Sequence, residues 1–318
     1  MKLLLAAAEG EDYFDLIEEL ASPELQVVRA PKPEDFAREI PDTEVLFGFL
    51  PPALFPEAKA LKWVQSPGAG VDWMMRVPGL AESDVIVTNT RGAHAPSIAE
   101  HVFALLLTMT RNMPRSLKWQ AEKYWGRVEG YRSSYEIKDS TMGIVGFGQI
   151  GRAIAKRAHA FEMNVLAVDA FPSDGLPYVS DVWPVERLHD LLGASDVVVI
   201  SVPYTNETHH LFDAEAFAAM RNGSHLVAIS RGGIIEEPAL IEALKSGKLA
   251  GAGIDVAEHE PLPPDDPLWE APNLLITPHI AGASGPKERR CVEIFRDNVI
   301  RYVNGEQLNN IVDKKRGF

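Results

Sequence analysis

From its first residues to about position 280 the chain alternates short, unbroken apolar runs with stretches patterned for helices. "KLLLA", "LQVVR", "VLFGF", "KWVQS" and "VIVTN" fill the first third; "TMGIVGFG", "NVLAVDA", "SDVVVISV", "SHLVAIS", "LAGAGIDV" and "NLLITPH" follow. A strand with one wet face would alternate apolar and polar residues, whereas unbroken runs suit strands covered on both faces, as in parallel sheets. Strands alternating with helices imply βαβ units. The expected fold class is therefore α/β with doubly wound parallel sheets. A chain of 318 residues is long enough for two such domains.

The balance of charge narrows the choice of partner. A formal net charge of −14 works against nucleic acid, whose phosphates would be repelled, and against anionic membrane. A small anionic ligand remains compatible, because local basic residues can outweigh the global field. With a single cysteine, Cys291, no internal disulfide framework can form, and a reducing, cytoplasmic setting is expected. The start "MKLLLAAAEGED" imitates a signal peptide. Its apolar run from Leu3 to Ala8 is too short for one, however, and Glu9, Glu11 and Asp12 follow at once, so a first buried strand is the better reading. No apolar run approaches a membrane span in length.

The stretch Ala95 to Met113 reads as a long helix, with Ser97 available near its start as a cap. Beyond it, residues 114–140 are polar and aromatic, carrying Trp119, Trp125, Tyr131 and Tyr135 but no strand pattern. Such a segment suits an arm packed on a second subunit, the alternative being a cover on its own subunit. Residues 1–100 are expected to form one domain and 101–285 a second, with the helical pattern of 286–318 returning to the first.

One turn carries specific chemistry. In "TMGIVGFGQIGRAIAKRAHAFEMNVLAVDA", Gly146, Gly148 and Gly151 follow the pattern G-x-G-x-x-G. The triplet alone is weak, but here a strand precedes it, a helix opens at Gln149, and a second strand ends in Asp169, 18 residues past Gly151. Gly146 would permit the tight turn, Gly148 the approach of a pyrophosphate, and Gly151 close helix–strand packing, with free helix N–H groups facing the phosphates. Asp169 would bind the adenine ribose and repel a 2′-phosphate, which favours NAD over NADP.

A dinucleotide fold does not fix a reaction. Hydride transfer to a carbonyl needs a proton donor and a cation for the substrate. Three residues at apparent strand ends offer these: Arg231 in "SRGG", Glu260 in "AEHEPLP" and His279 in "ITPHIAG". Arg231 presents a planar fork to a carboxylate, His279 offers an imidazole that can pass a proton, and Glu260 could hold the second ring nitrogen of His279. Taken singly, each also has a plain structural reading as a turn or loop residue.

Seven stretches together resemble the D-isomer-specific 2-hydroxyacid dehydrogenase family: "SPGAGVDWM", "VTNTRGAHAPSIAEHVFALLL", "GIVGFGQIGRAIAKRAHAFEM", "VPYTNETHHLF", "SRGGIIEEPALIEAL", "AGAGIDVAEHEPLPPDDPLW" and "PNLLITPHIAG". The resemblance implies a Rossmann NAD-binding domain inserted in a flavodoxin-like substrate domain, a cleft between them, and usually a homodimer joined through the arm. It implies that Arg231, Glu260 and His279 form the catalytic set. Cofactor contacts would come from Gln149, Ile150, Asp169, Val202, Pro203, Thr208, Asp255 and Gly282, and the backbone around Ala69, Gly70 and Val71 would bind the substrate carboxylate. Glu260 stands where formate dehydrogenases of this superfamily carry glutamine, which argues against formate. Ala228-Ile229-Ser230 departs from the frequent Asn-x-Ala before Arg231.

Around the substrate, "FGFLPP" is expected to contribute Leu50 and Phe49, with Trp73 and Met74 nearby, unless these are simply core. Relatives acting on phosphoglycerate resemble one another in carrying basic residues in the corresponding loop; this chain has none there, although Arg76 and Arg91 could reach it. An NADH-dependent interconversion of 2-keto and (R)-2-hydroxy acids is therefore expected. The alternatives are a phosphoglycerate-type dehydrogenase and a non-catalytic, NADH-responsive corepressor-like protein. The other histidines read first as surface or structural groups, although His101 and His94 are placed where they could border the site, and no ligand spacing supports a metal.

Overall fold

A computed structural model describes residues 1–6, 14–172, 176–179 and 181–314, with only the backbone of Asp72. The acidic residues that argue against a signal peptide, Glu9, Glu11 and Asp12, lie outside the described residues. The chain forms two compact units, Met1–His94 with Ser284–Phe318, and Ala95–Ala283.

The first unit is built on strands β1 (Lys2–Leu5), β2 (Gln26–Arg29), β3 (Val45–Phe47), β4 (Trp63–Gln65) and β5 (Ile86–Thr88), all parallel, in the order β2-β1-β3-β4-β5. This is the flavodoxin-like doubly wound order. Alternate residues of β1, β3 and β4 enter different cores, which explains their unbroken apolar runs. Leu4, Leu46 and Val64 join one cluster, while Leu3, Leu5, Val45, Phe47 and Trp63 join another. Helices α1 (Asp15–Glu18) and α2 (Pro33–Glu39) connect the early strands.

Strands β6 (Thr141–Val145), β7 (Asn164–Val168), β8 (Val182–Trp183), β9 (Val197–Ile200), β10 (Ser224–Ala228), β11 (Leu249–Ile254) and β12 (Leu274–Ile276) make the sheet of the second unit. Their order is β12-β11-β10-β9-β6-β7-β8, again all parallel: the Rossmann order with a seventh strand beyond β11. Val197 and Val199 face one core, Val198 and Ile200 the other. Around this sheet lie α3 (Ala95–Thr110), α4 (Met113–Ala121), α5 (Arg127–Ser133), α6 (Gln149–Ala160), α7 (Leu188–Ala194), α8 (Ala214–Ala219) and α9 (Glu237–Lys245). The two-residue β8 is too short to leave an apolar run, so the sequence pattern does not reveal it. Ser97 falls inside the first turn of α3 rather than at its cap, and its hydroxyl donates to the Gly282 carbonyl at 3.4 Å.

The last helix, α10 (Gly285–Val303), is capped by Ser284, whose hydroxyl accepts from the Lys287 N–H. It belongs to the first unit, where Phe295 and Val299 enter the core beside Trp63. A buried polar chain fixes its register. Asn298 donates to Gln65 Oε1 at 3.2 Å, Thr88 donates to the same oxygen at 2.8 Å, and Trp63 Nε1 donates to Thr88 at 2.7 Å.

His94 ends the first segment of this unit. Burial, reinforced by the neighbouring Lys287 and Arg290 cations, pushes its pKa down to about 4. Between that value and the ordinary histidine pKa, the unfolded chain binds a proton that the folded unit refuses, so stability falls as pH drops through this window. Thermal melts of wild type and His94→Gln from pH 7 to pH 4 should show the variant losing less stability on acidification. Parallel losses would remove His94 as a cause.

Candidate active site

Because every strand of the second sheet is parallel, its carboxyl ends share one edge, where open α/β sheets bind ligands. The glycine turn follows β6, Asp169 follows β7, and Val202 and Pro203 follow β9. Arg231 follows β10, Asp255 follows β11, and His279 and Gly282 follow β12.

At the turn the three glycines do three different jobs. Gly146 has φ +95°, and a Cβ there would lie 2.9 Å from the Ser201 backbone. At Gly151 a Cβ would come within 2.2 Å of the Gly146 carbonyl oxygen, so only glycine lets α6 pack this close. A Cβ on Gly148 would meet nothing within 4 Å, which leaves open space beside the α6 N-terminus. Gly148 caps α6 without a side chain, and the first-turn residues Gln149 and Ile150 lie at the positive end of the helix. Asp169 braces this turn. Its Oδ2 accepts from the Phe147 N–H at 2.6 Å and its Oδ1 from the Phe171 N–H at 2.8 Å. A dinucleotide fits the arrangement: open space, helix N–H groups and a carboxylate at the end of the second strand.

Thr208 lies in the loop after β9, where its hydroxyl donates to the Pro203 carbonyl at 2.7 Å and accepts from the Thr205 N–H at 2.7 Å. Those bonds hold the Val202–Pro203 backbone in place. Next to Thr208 stand His209 and His210. Their rings stack at 3.9 Å in a turn, and α8 begins later, capped by Asp213.

His279 Nδ1 and Glu260 Oε2 are 2.7 Å apart, and the other Glu260 oxygen accepts from the Ala257 N–H at 3.1 Å. The sequence-predicted pair is thus brought together, with Glu260 anchored on the far side. His279 has φ +55°, a left-handed conformation unusual for a residue with a Cβ. Its N–H donates to the Asp255 carbonyl at 2.9 Å, and the Asp255 carboxylate accepts from the Ile280 and Ala281 N–H groups at 3.0 and 2.8 Å. Arg231 donates from Nη1 to the Ser230 carbonyl at 2.7 Å. Gly232 lets its turn lie directly on the Glu260 loop, since a Cβ there would sit 1.9 Å from the Ala257 carbonyl oxygen.

In the first unit, Leu50 and Val71 are core residues, each 2% exposed, while Phe49 is 53% exposed and meets Trp73 edge-on. The segment holding Ala69 and Gly70 is pinned by Asn89, which donates to the Ala69 carbonyl at 2.8 Å, and by Thr90, which donates to the Pro67 carbonyl at 2.9 Å. Sequence reasoning missed Asn89 and Thr90, whose side chains serve backbone groups and carry no motif. Among the described residues no group of three His, Cys, Asp or Glu could hold a metal.

Residues 103–281 match the model of the D-isomer specific 2-hydroxyacid dehydrogenase NAD-binding domain. The chain belongs to the D-isomer specific 2-hydroxyacid dehydrogenase family. This family member is 35% identical over 271 residues to a glyoxylate reductase of Korarchaeum cryptofilum, covering 82% of this chain and 79% of that protein. It is 33% identical over 323 residues to a D-3-phosphoglycerate dehydrogenase of Archaeoglobus fulgidus, covering 98% of this chain but only 59% of that longer protein. Among solved structures, a D-isomer specific 2-hydroxyacid dehydrogenase from Xanthobacter autotrophicus, in complex with NADPH and MES, superposes with a TM-score of 0.85 at 31% identity. That match covers all of this family member and 99% of the other chain.

The glycine geometry is directly testable by thermal denaturation. Gly151→Ala and Gly232→Ala force a Cβ into backbone oxygen and should each cost about 1–3 kcal/mol or more. Gly148→Ala, with open space, should leave the melting temperature unchanged. Equal losses at all three positions would refute this account.

Proposed function

We propose that the chain is an NAD(H)-dependent oxidoreductase that interconverts 2-keto acids and (R)-2-hydroxy acids. The 2.7 Å contact between His279 Nδ1 and Glu260, beyond the strand ends of a Rossmann sheet, carries the proposal. NADH, when bound, would supply a hydride for C2 of the keto acid. With Nδ1 facing Glu260, His279 presents Nε2 to the substrate oxygen and donates the proton as the alkoxide develops. Glu260 stabilises the imidazolium and keeps the ring turned, and the Arg231 guanidinium takes the substrate carboxylate or carbonyl. The backbone of Ala69, Gly70 and Val71 is a further candidate contact for the substrate carboxylate.

For the cofactor, Gly146, Gly148 and Gly151 with Gln149 and Ile150 would hold the pyrophosphate, and Val202, Pro203 and Thr208 would flank it. Asp255 and Gly282 would border the nicotinamide. Asp169 would set the preference for NADH over NADPH, since a carboxylate at the end of the second strand repels a 2′-phosphate. Asp169→Ala should lower the ratio of NADH to NADPH kcat/KM about tenfold or more. An unchanged ratio would overturn this assignment.

An unphosphorylated substrate suits the aromatic surface of the exposed Phe49, which meets Trp73 edge-on. A phosphoglycerate-type activity is the second reading, favoured by the Archaeoglobus relative. NADH oxidation over a panel of 2-keto acids, with 3-phosphoglycerate and NAD in the reverse direction, separates the two readings. His279→Ala should lower kcat at least about a hundredfold while leaving NADH affinity nearly intact. Near-normal turnover would sink the role given to His279.

The working assembly is a homodimer joined through residues 114–140. Trp125 is 88% and Tyr131 85% exposed, with Leu117 and Val128 also bare, a surface suited to burial against a second copy. The setting is cytoplasmic, in keeping with a lone, buried Cys291 thiol whose pKa burial raises. No described helix is long and apolar enough to cross a membrane.

A further inference from the structure

The turn that carries His279 is tied to α3 by a chain of hydrogen bonds with an internal logic. Asp255, at the end of β11, is 1% exposed. Two of its carboxylate bonds go to the Ile280 and Ala281 N–H groups, and Thr277 Oγ1 lies 2.5 Å from Oδ1. A buried carboxylate has no proton to give, so the Thr277 hydroxyl is the donor in that contact. Its single proton is then committed, and the Thr277 oxygen can only accept from His101 Nε2, 2.9 Å away. The His101 ring must therefore carry its proton on Nε2. The same nitrogen lies 3.5 Å from Asp255 Oδ1, which reinforces that assignment, and the His101 side chain is 18% exposed.

The turn held in this way is strained. Thr277 is bound through its N–H to the Ile254 carbonyl at 2.9 Å, and His279, at φ +55°, to the Asp255 carbonyl. Such a conformation persists only where its surroundings over-determine it. Asp255 contributes to that determination through its carbonyl and both carboxylate oxygens, and His101 is joined to the carboxylate through Thr277.

We propose that His101 is a positioning residue: acting through Thr277 and Asp255, it holds the 277–281 turn so that His279 meets Glu260 in reacting geometry. The inference rests on the reading of His279 as the acid–base group. A merely structural histidine would stabilise α3 without being coupled to His279.

The test uses four variants of the full chain. His101→Leu and Thr277→Val break the chain. His101→Gln keeps an N–H donor at similar reach, and Thr277→Ser keeps the hydroxyl. With NADH and the best 2-keto acid, the two breaking variants should lower kcat about ten- to a hundredfold, with KM for NADH within about twofold of wild type. The two conservative variants should recover most of the loss. Ring 15N–1H spectra of the protein without ligand should show His101 protonated on Nε2. The His279 signals should move in Thr277→Val and return in Thr277→Ser. Unchanged kcat in His101→Leu, a rise in KM for NADH at constant kcat, or an Nδ1–H tautomer at His101 would each overturn the proposal. A wild-type protein that turns over no keto acid would overturn the functional reading alone, because the ring spectra still decide whether His101 and His279 are coupled.

Discussion

The whole arrangement depends on strand direction. A parallel strand can follow another only by a crossover, and strands that all run one way end at the same edge of their sheet. With seven strands in that relation, residues as far apart as Gly146, Asp169, Arg231, Asp255 and His279 gather along one line without any specific contact having to recruit them. The dense burial of the strands serves the same end. Alternate residues of β9 enter two separate cores, so a one-residue slip would exchange the side chains of the two faces and is strongly resisted. The chemistry sits in loops whose endpoints are held by the most rigid part of the unit.

Beyond the strand ends, the loops are organised by side chains that satisfy backbone groups. Asp255 accepts from two N–H groups of the 277–281 turn, Asp169 accepts from Phe147 in the glycine turn, and Glu260 accepts from Ala257. Each carboxylate completes donors that a tight turn leaves unpaired, and charge-assisted bonds of this kind are the stronger sort. Glycines do the complementary work. Gly151 and Gly232 remove a Cβ where two backbones must touch, and the second of these brings the Arg231 turn onto the loop that supports Glu260.

What the chain reveals before folding follows this division. The unbroken apolar runs declare two-sided strands, and both sheets are parallel and doubly wound as they imply. The glycine triplet was legible because a strand, a helix and Asp169 stand at the spacing that gives each glycine its purpose. The pairing of Glu260 with His279 was legible as chemistry, but residues 19 apart in sequence meet only because β11 and β12 are neighbours. Roles that depend on packing stayed hidden. Leu50 reads equally well as pocket or core until its 2% exposure is seen, and β8 is two residues long. Asn89, Thr90 and Thr277 bind backbone or a single carboxylate, a function with no sequence pattern.

Asp169 shows how tightly cofactor choice and turn geometry are joined. On the proposed reading its charge excludes a 2′-phosphate, yet the same carboxylate holds the Phe147 N–H at 2.6 Å and the Phe171 N–H at 2.8 Å. A neutral, smaller side chain there would admit the phosphate and at the same time release a donor inside the glycine turn. The Phe147 N–H, in a residue that is 3% exposed, would then lack its acceptor, and an unmet buried donor costs about 1–3 kcal/mol. A change of cofactor by substitution at this one position therefore carries a penalty in the turn that binds either cofactor. Relaxing the preference without loss requires a replacement that still accepts from Phe147 while giving up the charge, which a side-chain amide oxygen can do and an alkyl group cannot.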